Sequence, residues 1–214
     1  MRAQIATAAS LCLIASVAQA QQKPEEIQFA LYPNPNLNVV PCLAADGATP
    51  PKAIVKVRRG ELNDRLRIRV RGLKPHLAFD LFTVQRSPLD AQGGKAKDFT
   101  GSFGLAWYQT DLQADDNGNA EATIQTILLD QIFGFDPDVK LPPTNTFHVG
   151  FWFNNPEDAA ACGFDPTKPT PFNGEHRAGP LAMISQPTDS GLGPLCTSPT
   201  GANPDDPNAL PCNP

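Results

Sequence analysis

An all-β fold, an antiparallel immunoglobulin-like β-sandwich of about seven to eight strands, is predicted by three observations. The chain carries 23 prolines and 16 glycines in 214 residues, a burden of helix breakers that excludes long bundles and coiled coils. Between residues 52 and 155 the hydrophobic period is two, the signature of strands with one dry and one wet face. Asn, Asp and Gly clusters separate these segments, as β-turns require. With 41% apolar and 18% charged residues, the composition is too apolar for a disordered chain. A barrel of the same strands is the alternative.

The first segment is not part of the fold. Arg2, an apolar stretch over residues 5–17 and the small-x-small triplet Ala18-Gln19-Ala20 predict a signal peptide over residues 1–20. About 13 apolar residues fall short of the ~20 that span a bilayer, and no longer apolar stretch follows. The mature chain is expected to be secreted or periplasmic, without a transmembrane segment. It then carries 16 cations against 22 acids.

Each strand has its own justification. Residues 65–71 alternate arginine with Leu66, Ile68 and Val70, and residues 53–58 read similarly with Ile54, Val55 and Val57. The segments 78–85, 104–113, 120–129 and 146–154 supply four more candidates, and 26–32 and 180–185 are edge candidates. Asn117-Gly118 between two of them is the preferred pair of a tight hairpin. The one helical signal is short, over 156–161, with Asn155 placed to cap it. The domain is predicted over residues 21–185. Twelve of the 23 prolines lie in residues 156–214, so 186–214 reads as an irregular tail.

An even set of four mature cysteines in an exported chain implies two disulfides, with three pairings open. Cys196–Cys212 is favoured because it fastens the proline-rich tail, which leaves Cys42–Cys162. The spacings of 120, 34 and 16 contain no CxxC knuckle for zinc.

Residues 67–84 (RIRVRGLKPHLAFDLFTV) are similar to the strand, Gly-Leu-x-Pro turn, strand element of secreted sandwiches of the copper/zinc superoxide dismutase and chordin-repeat type. In the dismutases, the strand after the turn carries copper-binding histidines. Here Ala78, Asp80 and Phe82 stand there, so the ligand set does not carry over. The segments AWYQTDLQADDNGNA and GFWFNNPEDAAACG resemble uncharacterised exported bacterial β-sandwich proteins, a resemblance that implies an exported sandwich and no particular activity.

Chemistry-bearing residues are few. His76, His148 and His176 form no HxH or HxxxH pair, and His148 on a strand reads as a surface residue; no metal or cofactor is expected. Asp111, Asp115, Asp116, Asn117 and Asn119 resemble a calcium loop only superficially, since a solvated hairpin turn uses the same residues. No GxSxG or catalytic cysteine setting occurs. A carboxylate pair for glycoside hydrolysis is available only in outline, from Asp80, Asp111, Glu121 or Glu175.

Two surfaces stand out. Eight of the sixteen mature cations, Lys56, Arg58, Arg59, Arg65, Arg67, Arg69, Arg71 and Lys74, fall within nineteen residues. If residues 53–58 and 65–71 pair, Lys56, Arg58 and the four alternating arginines share one face, suited to a polysaccharide or other polyanion unless neighbouring acids neutralise it. The second surface is aromatic: Trp107, Tyr108 and Trp152, with His148 and Asn154 as polar neighbours, offer stacking for a sugar ring unless another layer covers them. The expected role is a non-catalytic exported protein that binds an envelope or extracellular component. A carbohydrate-active hydrolase and an assembly partner for another exported protein are the alternatives. Nothing specifically indicates nucleic acid.

Overall fold

The computed structural model describes residues 26–58, 63–127, 134–136, 141–144, 146–189 and 191–195. The predicted signal peptide, the connection 59–62 with Arg59, and the expected Cys196–Cys212 pair lie outside the described residues.

Eight strands form one antiparallel sheet: β1 (Glu26–Pro33), β2 (Lys52–Arg58), β3 (Asp64–Arg71), β4 (Ala78–Val84), β5 (Ala106–Gln113), β6 (Asn119–Ile127), β9 (His148–Phe153) and β10 (Leu181–Ser185). Two short strands, β7 (Gly134–Asp136) and β8 (Leu141–Thr144), pair separately. Each of the eight coincides within about two residues with a segment chosen for its period-two pattern. β7, β8 and a four-residue helix, α1 (Val40–Leu43), are additions.

The order across the main sheet is β5-β4-β9-β10-β1-β2-β3-β6. Its end strands, β5 and β6, are consecutive in sequence and are joined by a tight turn, so the sheet curls back on itself. This barrel-like sheet replaces the immunoglobulin-like sandwich, which requires two separate sheets. Alternation along a strand marks a buried face without saying whether that face meets a second sheet or the far wall of its own; that the eight strands join in one sheet follows from the non-local β1–β10 and β9–β10 pairings.

The interior is filled from the inward residues of this wall. On β3, Leu66, Ile68 and Val70 are fully or almost fully buried and the alternating arginines are exposed. Between the neighbouring strands β4 and β9, Phe79 packs edge-on against Phe151, their centroids 4.9 Å apart, and lies 5.3 Å from Phe153. A second apolar cluster lies outside the wall, on the outward side of β4, β9 and β10. It comprises Phe82, Val84, Leu89, Trp152, Leu181 and Ile184, roofed by Phe103 and Phe172 from loops.

The hairpin turn between β5 and β6 is built as its residues dictate. Asp115 Oδ1 accepts from the backbone N–H groups of Asn117 (2.9 Å) and Asn119 (2.8 Å), which holds its carboxyl below the usual range. Gly118 has φ +72°, and a Cβ there would stand 2.0 Å from the Leu73 carbonyl oxygen. Leu73 N–H in turn donates to Gly118 O at 3.0 Å. Gly118→Ala therefore incurs both left-handed strain and the loss of this contact. The expected cost is about 3 kcal/mol, a fall in thermal midpoint of roughly 6–10 °C in an unfolding scan.

The short helix Pro156–Cys162 begins at Asn155, whose Oδ1 accepts from Glu157 N–H at 3.1 Å, as the capping pattern predicts. Its last residue, Cys162, is bonded to Cys42 of α1. The start of the tail does pack: Leu195 is fully buried and donates its N–H to Phe147 O at 3.1 Å. Among the described residues no helix is long and apolar enough to cross a membrane.

Candidate functional site

The aromatic surface is not where strand alternation alone places it. Trp152 does point away from the barrel interior, but it is 1% exposed. Phe172 lies flat against it, with centroids 4.1 Å apart and planes within 1° of parallel, and Phe103 meets it edge-on at 5.0 Å. Two loops provide this cover. Trp107 turns inward and packs against Phe147. His148 is also buried, contrary to the surface position expected of it. Its Nδ1 lies 3.1 Å from both the carbonyl and the hydroxyl oxygen of Ser185, and burial pushes its pKa down to about 4. Of the three aromatic residues expected on this face, Tyr108 is the exposed one, at 53%, and beside it Asn154 is exposed as well.

Around Tyr108 the structure assembles a cleft of about 660 Å³. Its floor is the outward face of β4 and β5, with Asp80, Phe82, Tyr108 and Asp111, and its rim carries Asn154, Asn173 and Glu175. A β-bulge creates the floor. In the β4–β5 ladder Leu81 faces Thr110 but Phe82 faces Tyr108, so Gln109 is the extra residue. Strict alternation sends residues 108 and 111 to opposite faces. The bulge puts both on one face, beside Asp80.

These groups stand side by side. Tyr108 Oη donates to Asp111 Oδ1 at 2.7 Å. Asp80 stands directly opposite Asp111 in the β4–β5 ladder. Asn154 Nδ2 donates to both oxygens of Asp80 at 3.2 Å. Asp80 is 2% exposed, and burial, reinforced by the Asp111 charge and hydrogen bond against the opposing effect of Asn154, raises its pKa to about 6. Burial together with the Asp111 hydrogen bond pushes Tyr108 up to about 12.

The rim is held in shape by its own turn. Asn173 Oδ1 accepts from Glu175 N–H (3.1 Å) and Arg177 N–H (2.8 Å), while its Nδ2 donates to Asn154 O at 3.1 Å. Thr170 and Ala178 bridge at the loop's base, and Phe172 anchors it on Trp152.

The four carboxylates considered for hydrolysis are thereby sorted. Glu121 lies elsewhere, bound to Arg67 and Arg69. Asp80 and Asp111 stand directly opposite each other in the β4–β5 ladder and Asp80 is 2% exposed, so this pair does not flank an open space for a reacting carbon as glycoside hydrolysis requires. Glu175 is on the rim. The Asp115 loop spends its carboxylate on its own turn, and among the described residues no three His, Cys, Asp or Glu side chains gather as a metal site.

The arginine face is as the pairing implies. Opposite partners in the β2–β3 ladder are Lys52 and Arg71, Ile54 and Arg69, Lys56 and Arg67, and Arg58 and Arg65. Both acid partners come from neighbouring strands. Glu121 of β6 binds Arg67 and Arg69, the latter at 2.8 Å, and Glu26 of β1 binds Lys56 at 2.7 Å. Comparison with known proteins matches the chain to no family model and to no curated relative.

Proposed function

We propose that this is an exported, non-catalytic carbohydrate-binding protein whose ligand, a neutral or N-acetylated sugar chain, occupies the Tyr108 cleft. The observation that carries the reading is the pairing of a half-exposed tyrosine ring with hydrogen-bonding groups on one wall: Asp111, Asn154, Asn173 and Glu175. A sugar ring needs an apolar platform for its C–H face together with acceptors and donors for its hydroxyls. The carboxylates of Asp111 and Glu175 discriminate against anionic sugars here. The burial of Asp80, directly opposite Asp111, favours binding over hydrolysis.

The test is retention on insoluble chitin, cellulose and xylan, followed by titration with the corresponding soluble oligosaccharides. Wild-type protein is retained on at least one, and Tyr108→Ala weakens binding about tenfold or more, the loss of one stacking contact and its buried area. Equal retention of wild type and Tyr108→Ala, or no retention above a serum albumin control, removes the reading. Release of reducing ends during incubation would restore the hydrolase.

A further inference from the structure

We propose a second binding site, separate from the cleft: the outward face of β2 and β3 is a surface for an acidic polysaccharide. Seven cations project from it, Lys52, Lys56, Arg58, Arg65, Arg67, Arg69 and Arg71, and among the described residues of the flanking strands two carboxylates, Glu26 and Glu121, answer them. The chain as a whole is acidic, at net −5. Its cations are therefore concentrated against the average rather than with it.

The register makes the concentration costly. Lys52 and Arg71, Lys56 and Arg67, and Arg58 and Arg65 stand directly opposite one another, three like-charge cross-strand pairs. Such pairs destabilise a sheet, and acids facing them would have relieved the repulsion. Only part of the stripe has that relief: Glu121 is shared by two arginines, and Lys52, Arg65 and Arg71 have no acid partner among the described residues. A local rule broken at Lys52, Arg65 and Arg71 without an acid among the described residues marks a surface whose compensation comes from outside.

The shape of the surface selects the ligand. Charges recur about every 6.8 Å along each strand and about 4.8 Å between strands, a two-row array for an extended polyanion. Gln28, Asn119 and Thr123 lie on the same face, opposite Lys56, Arg71 and Arg67, and can hydrogen-bond sugar hydroxyls between the charges. Tyr32, 40% exposed, continues the outward face of β1 beside the Lys52 end. A bilayer needs apolar side chains to insert, and the stripe offers only the half-buried Ile54. Single-stranded nucleic acid needs a row of stacking aromatics, which this face lacks.

The test measures binding of the full mature chain to heparin, which is sulfated, and to alginate, which carries only carboxylates; the stronger of the two identifies the anionic group. Binding is expected to weaken at least tenfold between about 50 and 200 mM salt. The double variant Lys52→Gln/Arg71→Gln should lose about tenfold with an unchanged thermal midpoint. Glu121→Gln, which releases Arg67 and Arg69, should gain severalfold. The proposal is overturned if heparin and alginate bind no better than to a charge-matched acidic control, or if both variants bind as wild type. It is likewise overturned if phosphatidylglycerol vesicles or oligothymidylate bind more tightly than either polysaccharide.

Discussion

Replacing Cys42 and Cys162 together with alanine is expected to lower the unfolding free energy by about 3–5 kcal/mol, the largest single effect in the molecule. The bond spans 120 residues of sequence, and closing a loop of that size removes roughly 5 kcal/mol of unfolded-chain entropy in the loop-closure account. It joins α1, before the second strand, to the helix that follows β9, so almost the whole barrel lies inside the loop. Its surroundings are native packing rather than solvent: Cys42 is 3% exposed, Val39 and Leu43 are fully buried, and Leu37 reaches the turn after Cys162. Urea unfolding of the oxidised wild type and of the double variant measures the difference. A loss below ~1 kcal/mol would show that the covalent link adds nothing the packing does not already supply.

The second large effect is a pair of opposed pH dependences. Asp80 has its folded pKa raised to about 6, against ~3.9 when unfolded, so the folded state holds its proton more tightly. Its contribution is greatest below pH ~4 and is lost as pH rises to about 6, leaving a burden of up to ~3 kcal/mol at neutral pH. His148 runs the other way. Its folded pKa is pushed down to about 4 from ~6.5, so its neutral form is favoured and stability falls as pH drops from ~6.5 to about 4, again by up to ~3 kcal/mol. Over pH 4–6 the two slopes oppose each other in the wild type.

Single substitutions should separate them. Asp80→Asn keeps an acceptor for Asn154 and a donor toward Asp111 while removing the ionisation. It is expected to raise stability at pH 7.5 by about 2 kcal/mol, or roughly 4–8 °C, and to steepen the loss in acid. His148→Asn places an amide where Nδ1 meets Ser185, and its stability relative to wild type should decline as pH rises from 4 to 6.5. Urea unfolding from pH 4 to 7.5 reads both differences. If each variant keeps the wild-type slope, neither group titrates as described.

The pattern of what could be read in advance follows from the range of each interaction. Arginines at every second position of β3, the Asn117-Gly118 turn and the Asn155 cap involve neighbours within a few residues, and each appears where its local chemistry puts it. Even the shared face of Lys56, Arg58 and the arginines needed only a hairpin register. Trp152 was legible as pointing outward and illegible as covered, because its cover, Phe172 and Phe103, arrives from loops that carry no period. His148 is likewise buried, its ring against Ser185 of the sequence-distant strand β10. The Tyr108–Asp111 pairing escaped because one bulged residue, Gln109, reverses the phase on which face assignment depends; the single local sign was a pair of polar residues three apart in a segment otherwise read at period two.

The sequence by itself determined the strands, the turns, the Cys42–Cys162 partnership as one of three pairings and the concentration of positive charge, since these rest on local conformational preference and on counting. Only the tertiary structure decided that the sheet curls into a barrel-like wall, that two loops bury Trp152, and that Asp80, Asp111 and Tyr108 meet in one cleft. Those outcomes depend on which distant strands share hydrogen bonds and which side chains exclude water from one another, and period-two alternation is the same whichever distant partner a strand finds.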